Sequence, residues 1–503
     1  MLYLGVSVLI GFLIYLFPEP AGVSANGWHL FAIFIATMIA VILKPLPMGL
    51  ICILSLTITV ATNTLSFAEA FSGFSNEIVW LVVFAFFVAK GFIATGLGAR
   101  TAYKVLSILG KNSLGLGYGL VATDLLLAPA IPSVTARLGG IVFPIVKSLS
   151  ELFSGKFEEL SPKKGQSSPT AKEQQVPCCN WIDSSADSVL KDRDCARAAV
   201  HDPKMGGFLT LTSFQGSAVT SAMFLTAMAG NPMIVELAKG QGIEINWGTW
   251  ALAAIVPGLF SLIAVPYVLY KIAAPTIKQT PHAKEMAQEK LKAMGPMSIK
   301  EWIMISTFFL LICLWILGPF INMKATVATM IGLTILLLTN VLSWKNIIEE
   351  TSAWDTFIWF ATLVTLSGFL NKLGLTTWFS HLVVSHMAGF EWIIGFFLIA
   401  LIYFYTHYFF ASNVAHIGAM YAPLLIVAIS LGTPVQLAAL TLAFFSNLFG
   451  GLTHYGSGPA PIFFGAGYVQ IRTWWKMGFM ISILNIAIWL TIGGLWWKLL
   501  GLW

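Results

Sequence analysis

The sequence predicts an all-α polytopic membrane protein built from inverted repeats, with two re-entrant helical hairpins. Three observations carry this. First, 57% of the residues are hydrophobic and only 10% are charged, where a soluble domain carries about 25% charged residues. Apolar runs long enough to cross a bilayer recur along the chain. Second, two polar breaks interrupt it, Ala130-Ile131-Pro132-Ser133-Val134-Thr135-Ala136-Arg137-Leu138-Gly139-Gly140 and Phe410-Ala411-Ser412-Asn413-Val414-Ala415-His416-Ile417-Gly418-Ala419. Each lies between apolar arms that cross a bilayer only with difficulty. Third, the breaks belong to a longer repeat with an offset of 277–279 residues. Glu77-Ile78-Val79-Trp80 matches Thr356-Phe357-Ile358-Trp359, and Gly91-Phe92-Ile93 matches Gly368-Phe369-Leu370.

Taken in order, spanning helices are expected at about 2–17, 27–44, 46–63 and 77–97. The first lacks a basic n-region and a small-residue cleavage site, so it reads as a membrane helix rather than a signal peptide. Residues 98–112, with Arg100, Lys104 and Lys111, read as an interfacial helix. The arms of the first hairpin are 114–131 and 138–153. A polar insert at 154–205 follows, rich in Lys, Glu, Ser and Asp, and reads as a flexible loop. Further spans fall at 206–231 (interrupted), 247–271, 301–321, 325–343 and 355–373. A short amphipathic piece with His381 and His386 covers 376–388. The second hairpin has arms at 391–409 and 417–431. The last spans are 434–466, interrupted near Gly450–Pro459, and 475–499. As domains, this makes 1–112 and 272–388 scaffold and linker, and 113–153 and 389–431 hairpins. Residues 206–271 and 432–503 become transport-domain helices around the cytoplasmic insert 154–205.

Charge tests the map. With the N-terminus inside, the first hairpin enters from the cytoplasm and the second from outside. The cytoplasmic segments then hold 22 of the 28 Lys and Arg, among them Lys44, Lys345, Arg472 and Lys476. The outer segments keep Lys239, Lys324, Lys372 and Lys498, while Lys90 and Arg137 lie in the membrane. This is the positive-inside pattern, and the lack of a long Ser/Arg-rich transit segment favours a bacterial inner membrane over a plastid envelope. The net charge of +6 comes from loops and does not point to nucleic acid. Of the 5 cysteines, Cys52 and Cys313 lie in apolar segments and Cys178, Cys179 and Cys195 in the cytoplasmic insert, which argues against a disulfide framework. An odd number of steps separates the two Trp-bearing spans, so the halves are inverted.

At a hairpin tip the second arm starts afresh, and its free N–H groups and positive dipole end suit an anion. Two inverted hairpins bring two such ends together. Ser133, Thr135, Ser412 and Asn413 add neutral donors for carboxylate oxygens, or serve as helix caps. Each half supplies a second break: Phe214-Gln215-Gly216-Ser217-Ala218-Val219-Thr220-Ser221 and Gly450-Gly451-Leu452-Thr453-His454-Tyr455-Gly456-Ser457-Gly458-Pro459. Thr220, Thr453, His454 and Pro459 join the candidate substrate-binding set from these.

The tips Ser133-Val134-Thr135 and Ser412-Asn413-Val414 resemble the twin Ser-Asn-Thr tips of the divalent anion:sodium symporter (dicarboxylate transporter) family. Pro132–Gly140 and Ser446–Gly456 are similar to the branch that holds the plastid 2-oxoglutarate/malate translocator and bacterial citrate or tartrate/succinate exchangers. The resemblance spans the chain apart from the insert. It implies an elevator-type carrier of di- or tricarboxylates, usually a homodimer, with no enzymatic activity and no cofactor. Val134 and Val414 depart from the family tips where side chains touch substrate carboxylate or help hold sodium, which weakens sodium coupling.

Arg137 and His416 lie one turn beyond each tip. An intramembrane Arg costs about 2.5–3.5 kcal/mol by insertion scales, so it marks function or an inward-facing ion pair. It can supply the charge that sodium brings in the symporters; His416 can do so if protonated. A carrier with built-in cations returns charged if empty, and a bound dicarboxylate compensates that charge. The reading is therefore exchange of 2-oxoglutarate for malate or a related C4 dicarboxylate, with a sodium-coupled symporter as the alternative and an ion channel more remote. Asp124, about 13 Å before Ser133 along a helix at 1.5 Å per residue, is expected to brace the hairpin near the cytoplasmic mouth with Lys90 or an interfacial base. No G-x-x-x-x-G-K-[ST], H-E-x-x-H or G-x-S-x-G occurs, so nothing in the chain supports ATP-driven pumping or a membrane-embedded enzyme.

Overall fold

The computed structural model describes residues 2–153, 203–375, 377–379, 382 and 391–503. Most of the polar insert, with Cys178, Cys179 and Cys195, and both His381 and His386 lie outside the described residues. Among the described residues there is no strand, only an isolated bridge between Asn112 and Gln279. Among the same residues, eight helices are long and apolar enough to cross a membrane. The chain is an all-α polytopic membrane protein.

The first half runs α1 (Leu2–Leu16), α2 (Ala25–Leu43), α3 (Met48–Ala61), a short α4 (Phe67–Ala70), α5 (Glu77–Ala94) and α6 (Leu97–Leu109). It continues with α7 (Ser113–Leu127), α8 (Val134–Arg137) and α9 (Phe143–Phe153). A π turn at Leu138–Val142 joins α8 to α9. Next are α10 (Pro203–Met223), α11 (Gly230–Lys239), α12 (Trp247–Ile272) and the linker helix α13 (Pro281–Ala293). The second half runs α14 (Ile299–Leu317), α15 (Ala325–Leu338), α16 (Trp344–Ile348) and α17 (Thr351–Lys372). Then come α18 (Trp392–Tyr405), α19 (Asn413–His416), a π turn at Ile417–Tyr421 and α20 (Ala422–Ser430). The chain ends with α21 (Val435–Leu448), α22 (Ala460–Gly465), α23 (Ile471–Ile488) and α24 (Gly494–Leu499).

The repeat is written in the caps and turns. Ser66 and Ser343 both form capping boxes, on Glu69 before α4 and on Asn346 before α16. Such a box satisfies two orphan N–H groups of a helix start. Left-handed residues recur at the same spacing: Lys44 and Asn322, Asn63 and Asn340, Gly96 and Gly374. The π turns follow α8 and α19 at matching positions. These are backbone features, and they fall at the offset that the Trp and Gly matches give.

Packing separates two groups. Helices α1, α2, α3, α5, α14, α15 and α17 pack on one another. Helices α7, α9, α10, α12, α21 and α23 form a second group centred on α10. Helix α6 packs on α5, α7 and α13, and α11 packs on α5, α17 and the second π turn, so both touch the two groups. One expected break lies elsewhere. The segment Phe214–Ser221 stays helical within α10, and the interruption falls at Phe224–Ala229. Ser217 donates to the carbonyl of Phe214, which keeps its hydroxyl against the helix. The side chain of Asn231, beyond the break, donates to the carbonyls of Ser221 and Phe224 at 2.9 and 3.0 Å and so closes the helix end.

Candidate functional site

The first tip forms because α7 stops at Leu127 and Pro132 precedes the cap of α8. Ser133 is that cap: its backbone is extended and its Oγ accepts from Ala136 N at 3.1 Å. Ser412 does the same before α19, accepting from Ala415 N at 3.5 Å. An Oγ that accepts a cap bond keeps its own hydrogen for a further acceptor. Behind each cap the first-turn N–H groups lack intrahelical partners.

The two tips meet at one cavity of about 210 Å³. At about 30 Å³ per water this is room for roughly seven waters, or for a four- or five-carbon diacid. Its wall takes Ser133, Val134 and Thr135 from the first tip and Ser412, Asn413 and Val414 from the second. Helix α10 adds Phe214, Ser217 and Ser221, and the end of α21 adds Asn447 and Gly450. The chain before α22 adds Ser457, Gly458 and Pro459, with Phe86 of α5 and Met228 closing the apolar side. Two glycines keep the wall thin. A Cβ at Gly450 would stand 2.8 Å from Asn413 Nδ2, and one at Gly458 would run into Thr135 Oγ1.

Of the ten residues expected from the sequence, Ser133, Thr135, Ser412, Asn413 and Pro459 line the cavity. Arg137, His416, Thr220, Thr453 and His454 do not. Arg137 is fully buried behind the first tip. Its Nε donates to Asp124 Oδ1 at 2.5 Å, one terminal nitrogen donates to the carbonyls of Ile131 (2.8 Å) and Ala227 (2.9 Å), and the other to Ser221 Oγ at 2.9 Å. Thr220 donates to the second oxygen of Asp124. The expectation for Asp124 is therefore corrected. It is the buried counter-ion of Arg137, because α7 and α8 run back alongside each other, and Lys90 pairs instead with Glu350 at 3.0 Å. Arg137 is likewise no free cation: its charge is compensated on the spot.

His416 is also fully buried and faces away from the cavity. Its ring lies between Phe410 and Phe449, and its Nδ1 is 3.0 Å from Nδ1 of His407. His407 Nε2 is 3.0 Å from the carbonyl of Gly456. A carbonyl only accepts, so His407 carries its proton on Nε2, and its Nδ1 accepts from His416. One proton per ring satisfies both contacts. The charge expected of His416 is not needed for this arrangement, which ties the second tip to the break before α22. His454 packs against Phe464 and accepts from Trp475 Nε1 at 3.1 Å, away from the cavity, and Thr453 is buried behind it.

Several wall residues escaped the sequence reading. Ser217 and Ser221 lay in a segment read as a break, and Asn447 in a motif quoted only for its resemblance. Asn447 Nδ2 donates to Asn231 Oδ1 at 2.8 Å, tying the end of α21 to the start of α11 just beyond the break. Asn413 Nδ2 donates to Ser446 O at 3.0 Å, and Ser446 Oγ bonds to Tyr403 Oη at 2.7 Å. His407 sat in the aromatic run Tyr405–Phe409, where nothing but its own identity marks it.

A repeated set of helices that aims two broken-helix tips at one small cavity, with hydroxyls and amides set in an apolar wall, is the arrangement of a membrane transporter. The chain belongs to the sodium:sulfate symporter transmembrane region family, which matches residues 1–503. It is 50% identical over 499 residues to YflS of Bacillus subtilis, named for malate transport, covering 99% of this chain and 96% of that one. It is 48% identical over 500 residues to the chloroplastic dicarboxylate transporter 1 of Arabidopsis thaliana, covering 99% of this chain and 83% of that one. The inner membrane protein YbhI of Escherichia coli is 32% identical over 508 residues, covering 99% and 97%. The protein is a multi-pass transporter of a bacterial inner membrane, and not an enzyme.

Proposed function

We propose that this chain exchanges one dicarboxylate for another across the membrane without sodium, 2-oxoglutarate against malate or a related C4 dicarboxylate. The observation that carries the reading is the environment of Arg137. A bound sodium is held by backbone carbonyls, hydroxyls and carboxylates. Behind the first tip those oxygens are Ile131 O, Ala227 O, Ser221 Oγ and Asp124 Oδ1, and the guanidinium takes all four. A permanent cation stands where a co-transported one would be needed.

Exchange rests on the polar groups of the cavity rather than on a free Arg charge. The hydroxyls of Ser133, Thr135 and Ser412 and the first-turn N–H groups of α8 and α19 are donors suited to carboxylates. Crossing the bilayer with them unpaired costs about 1–3 kcal/mol for each buried group. A bound diacid removes that cost, so the loaded carrier crosses and the empty one does not. Charge favours the same mode. Net uptake of a dianion against a negative interior costs about 2.3 kcal/mol per charge per 100 mV, and swapping equal charges cancels it. The wall also admits a tricarboxylate such as citrate if one carboxyl stays towards the mouth.

The inverted repeat supports an elevator. The group around α10, with both tips, moves as a body against the group around α5 and α17, in a homodimer held by the latter group as the family resemblance implies. The test is uptake of labelled 2-oxoglutarate into proteoliposomes. Uptake is expected only into vesicles preloaded with malate or another dicarboxylate, and equally in sodium and choline media. Equal uptake into empty vesicles removes exchange, and a requirement for a sodium gradient restores the symporter. Ohmic current without counter-transport would make the protein a channel.

A further inference from the structure

Lys44 stands out on the backbone. It caps α2 in the left-handed region, at φ 48° and ψ 47°. That region costs an ordinary L-residue about 1–2 kcal/mol, and Asn tolerates it best. Among the described residues, the other positive-φ residues that are not glycine are Asn63, Asn322 and Asn340. Asn322 holds the corner that the repeat relates to Lys44. One corner thus carries the residue that suits the turn, and the other a lysine that does not.

What the lysine adds is its ammonium. Lys44 Nζ donates to the carbonyl of Ala411 at 3.0 Å. Ala411 immediately precedes Ser412, the cap of the second tip. Beside this bond Ala40, Val41 and Ile51 of the α2–α3 corner pack on Phe410 and Ala415 in a small apolar cluster separate from the main core. Helix α2 has 19 residues, about 28 Å at 1.5 Å each, nearly the hydrocarbon thickness of a bilayer. Lys44 therefore lies at the end of a full crossing, and the charge pattern puts that end in the cytoplasm. The second tip belongs to the hairpin that enters from outside, yet it reaches this cytoplasmic corner. Among the described residues Asn322 makes no side-chain hydrogen bond to the first tip.

We propose that Lys44 is a cytoplasmic latch of the transport cycle: a positioning residue that binds the second tip to the scaffold in the inward-facing state and biases the carrier towards that state. The repeat alone makes the two end states equivalent, with the Asn322 corner meeting the first tip near Pro132 in the outward state. A short amide cannot reproduce the reach of the ammonium, so the bond exists on one side only. The proposal rests on the exchange reading and on motion of the tips past α2.

The test compares half-saturation constants for malate at the two faces, in right-side-out and inside-out vesicles saturated with counter-substrate on the opposite side. Lys44→Asn keeps the turn with the residue used at the related corner and removes the latch. Loss of one bond from a charged donor is expected to shift the ratio of the two constants on the order of tenfold. The cytoplasmic constant rises and the external one falls, because the population moves outward. Lys44→Arg restores the ratio. An unchanged ratio overturns the latch, and so does a rise of both constants together, which marks a merely structural cap. If the unaltered protein shows no counter-exchange, the parent reading fails first and separately.

Discussion

Replacing Arg137 by Ala tests the central claim about the first tip. The guanidinium is fully buried and donates four hydrogen bonds, one of them to the Asp124 carboxylate. Its loss leaves that carboxylate buried with Thr220 as its remaining hydrogen-bond donor. Breaking a buried pair from one side costs about 3–5 kcal/mol, or roughly two to four orders of magnitude in the folded ratio at about 1.4 kcal/mol per decade. The variant also exposes four oxygens around a vacated positive charge, a suitable set for a small hard cation. Sodium at about 100 times its dissociation constant returns about 2.7 kcal/mol by mass action.

The expected result is a protein that melts early and exchanges poorly in choline, and recovers much of both in sodium. Potassium, which is larger, recovers less. Lys at position 137 keeps the charge but has a point-like ammonium in place of the planar fork, so Arg137→Lys is expected to be intermediate and insensitive to sodium. The assay is thermal unfolding of the purified protein in matched chloride salts, followed by malate counterflow. Wild-type stability and exchange for Arg137→Ala in choline would refute the reasoning. So would a stable variant that loses exchange and ignores every cation, since that outcome makes Arg137 a direct substrate ligand.

Three further outcomes follow from the cavity wall. Asn413→Asp sets a carboxylate beside the carboxylates of the cargo; at about 4 Å and an effective dielectric of 20 that costs about 4 kcal/mol, so counterflow is expected to fall roughly a thousandfold while the protein still folds. Gly458→Ala pushes a methyl into Thr135 Oγ1, and at about 1–3 kcal/mol for such overpacking the half-saturation constant for malate is expected to rise by one to two decades with little change in melting. His454→Ala loses the bond from Trp475, worth about 1 kcal/mol of stability, and is expected to leave the half-saturation constant as it was, because the ring does not reach the cavity.

The sequence exposed what is periodic and local. Apolar length marked the spans, and the Ser caps marked both tips, with Pro132 before the first and a glycine just beyond each (Gly139 and Gly418). The spacing of Trp80 to Trp359 and of Gly91 to Gly368 marked the repeat that Lys44, Asn322, Asn63 and Asn340 confirm on the backbone. What remained hidden depends on contacts across the fold. Gly216 and Ser217 look like a helix break, but Asn231 settles where α10 ends by reaching back to Ser221 and Phe224. Arg137 and Asp124 are thirteen residues apart with a chain reversal between them, so no helical spacing pairs them. His407 acquires its role only when His416 and Gly456 arrive from other segments.

The two tips reach one end by different chemistry. The first is anchored by an ion pair, Asp124 with Arg137. The second is anchored by two imidazoles stacked with Phe410 and Phe449. At the repeat-related positions Tyr403 takes the place of Asp124 and His416 that of Arg137, with Tyr403 bonded to Ser446 much as Asp124 is to Thr220. Both anchors are made of the chain's own side chains, so neither tip depends on a co-ion for its shape. The charge carried by the tips and their anchors then changes only with the cargo, and two cargoes of equal charge leave it the same in both directions. If the carrier exchanges as we propose, that condition makes exchange insensitive to membrane potential, and the proposed bias between the two faces comes from a contact outside the cavity, the bond from Lys44 to Ala411.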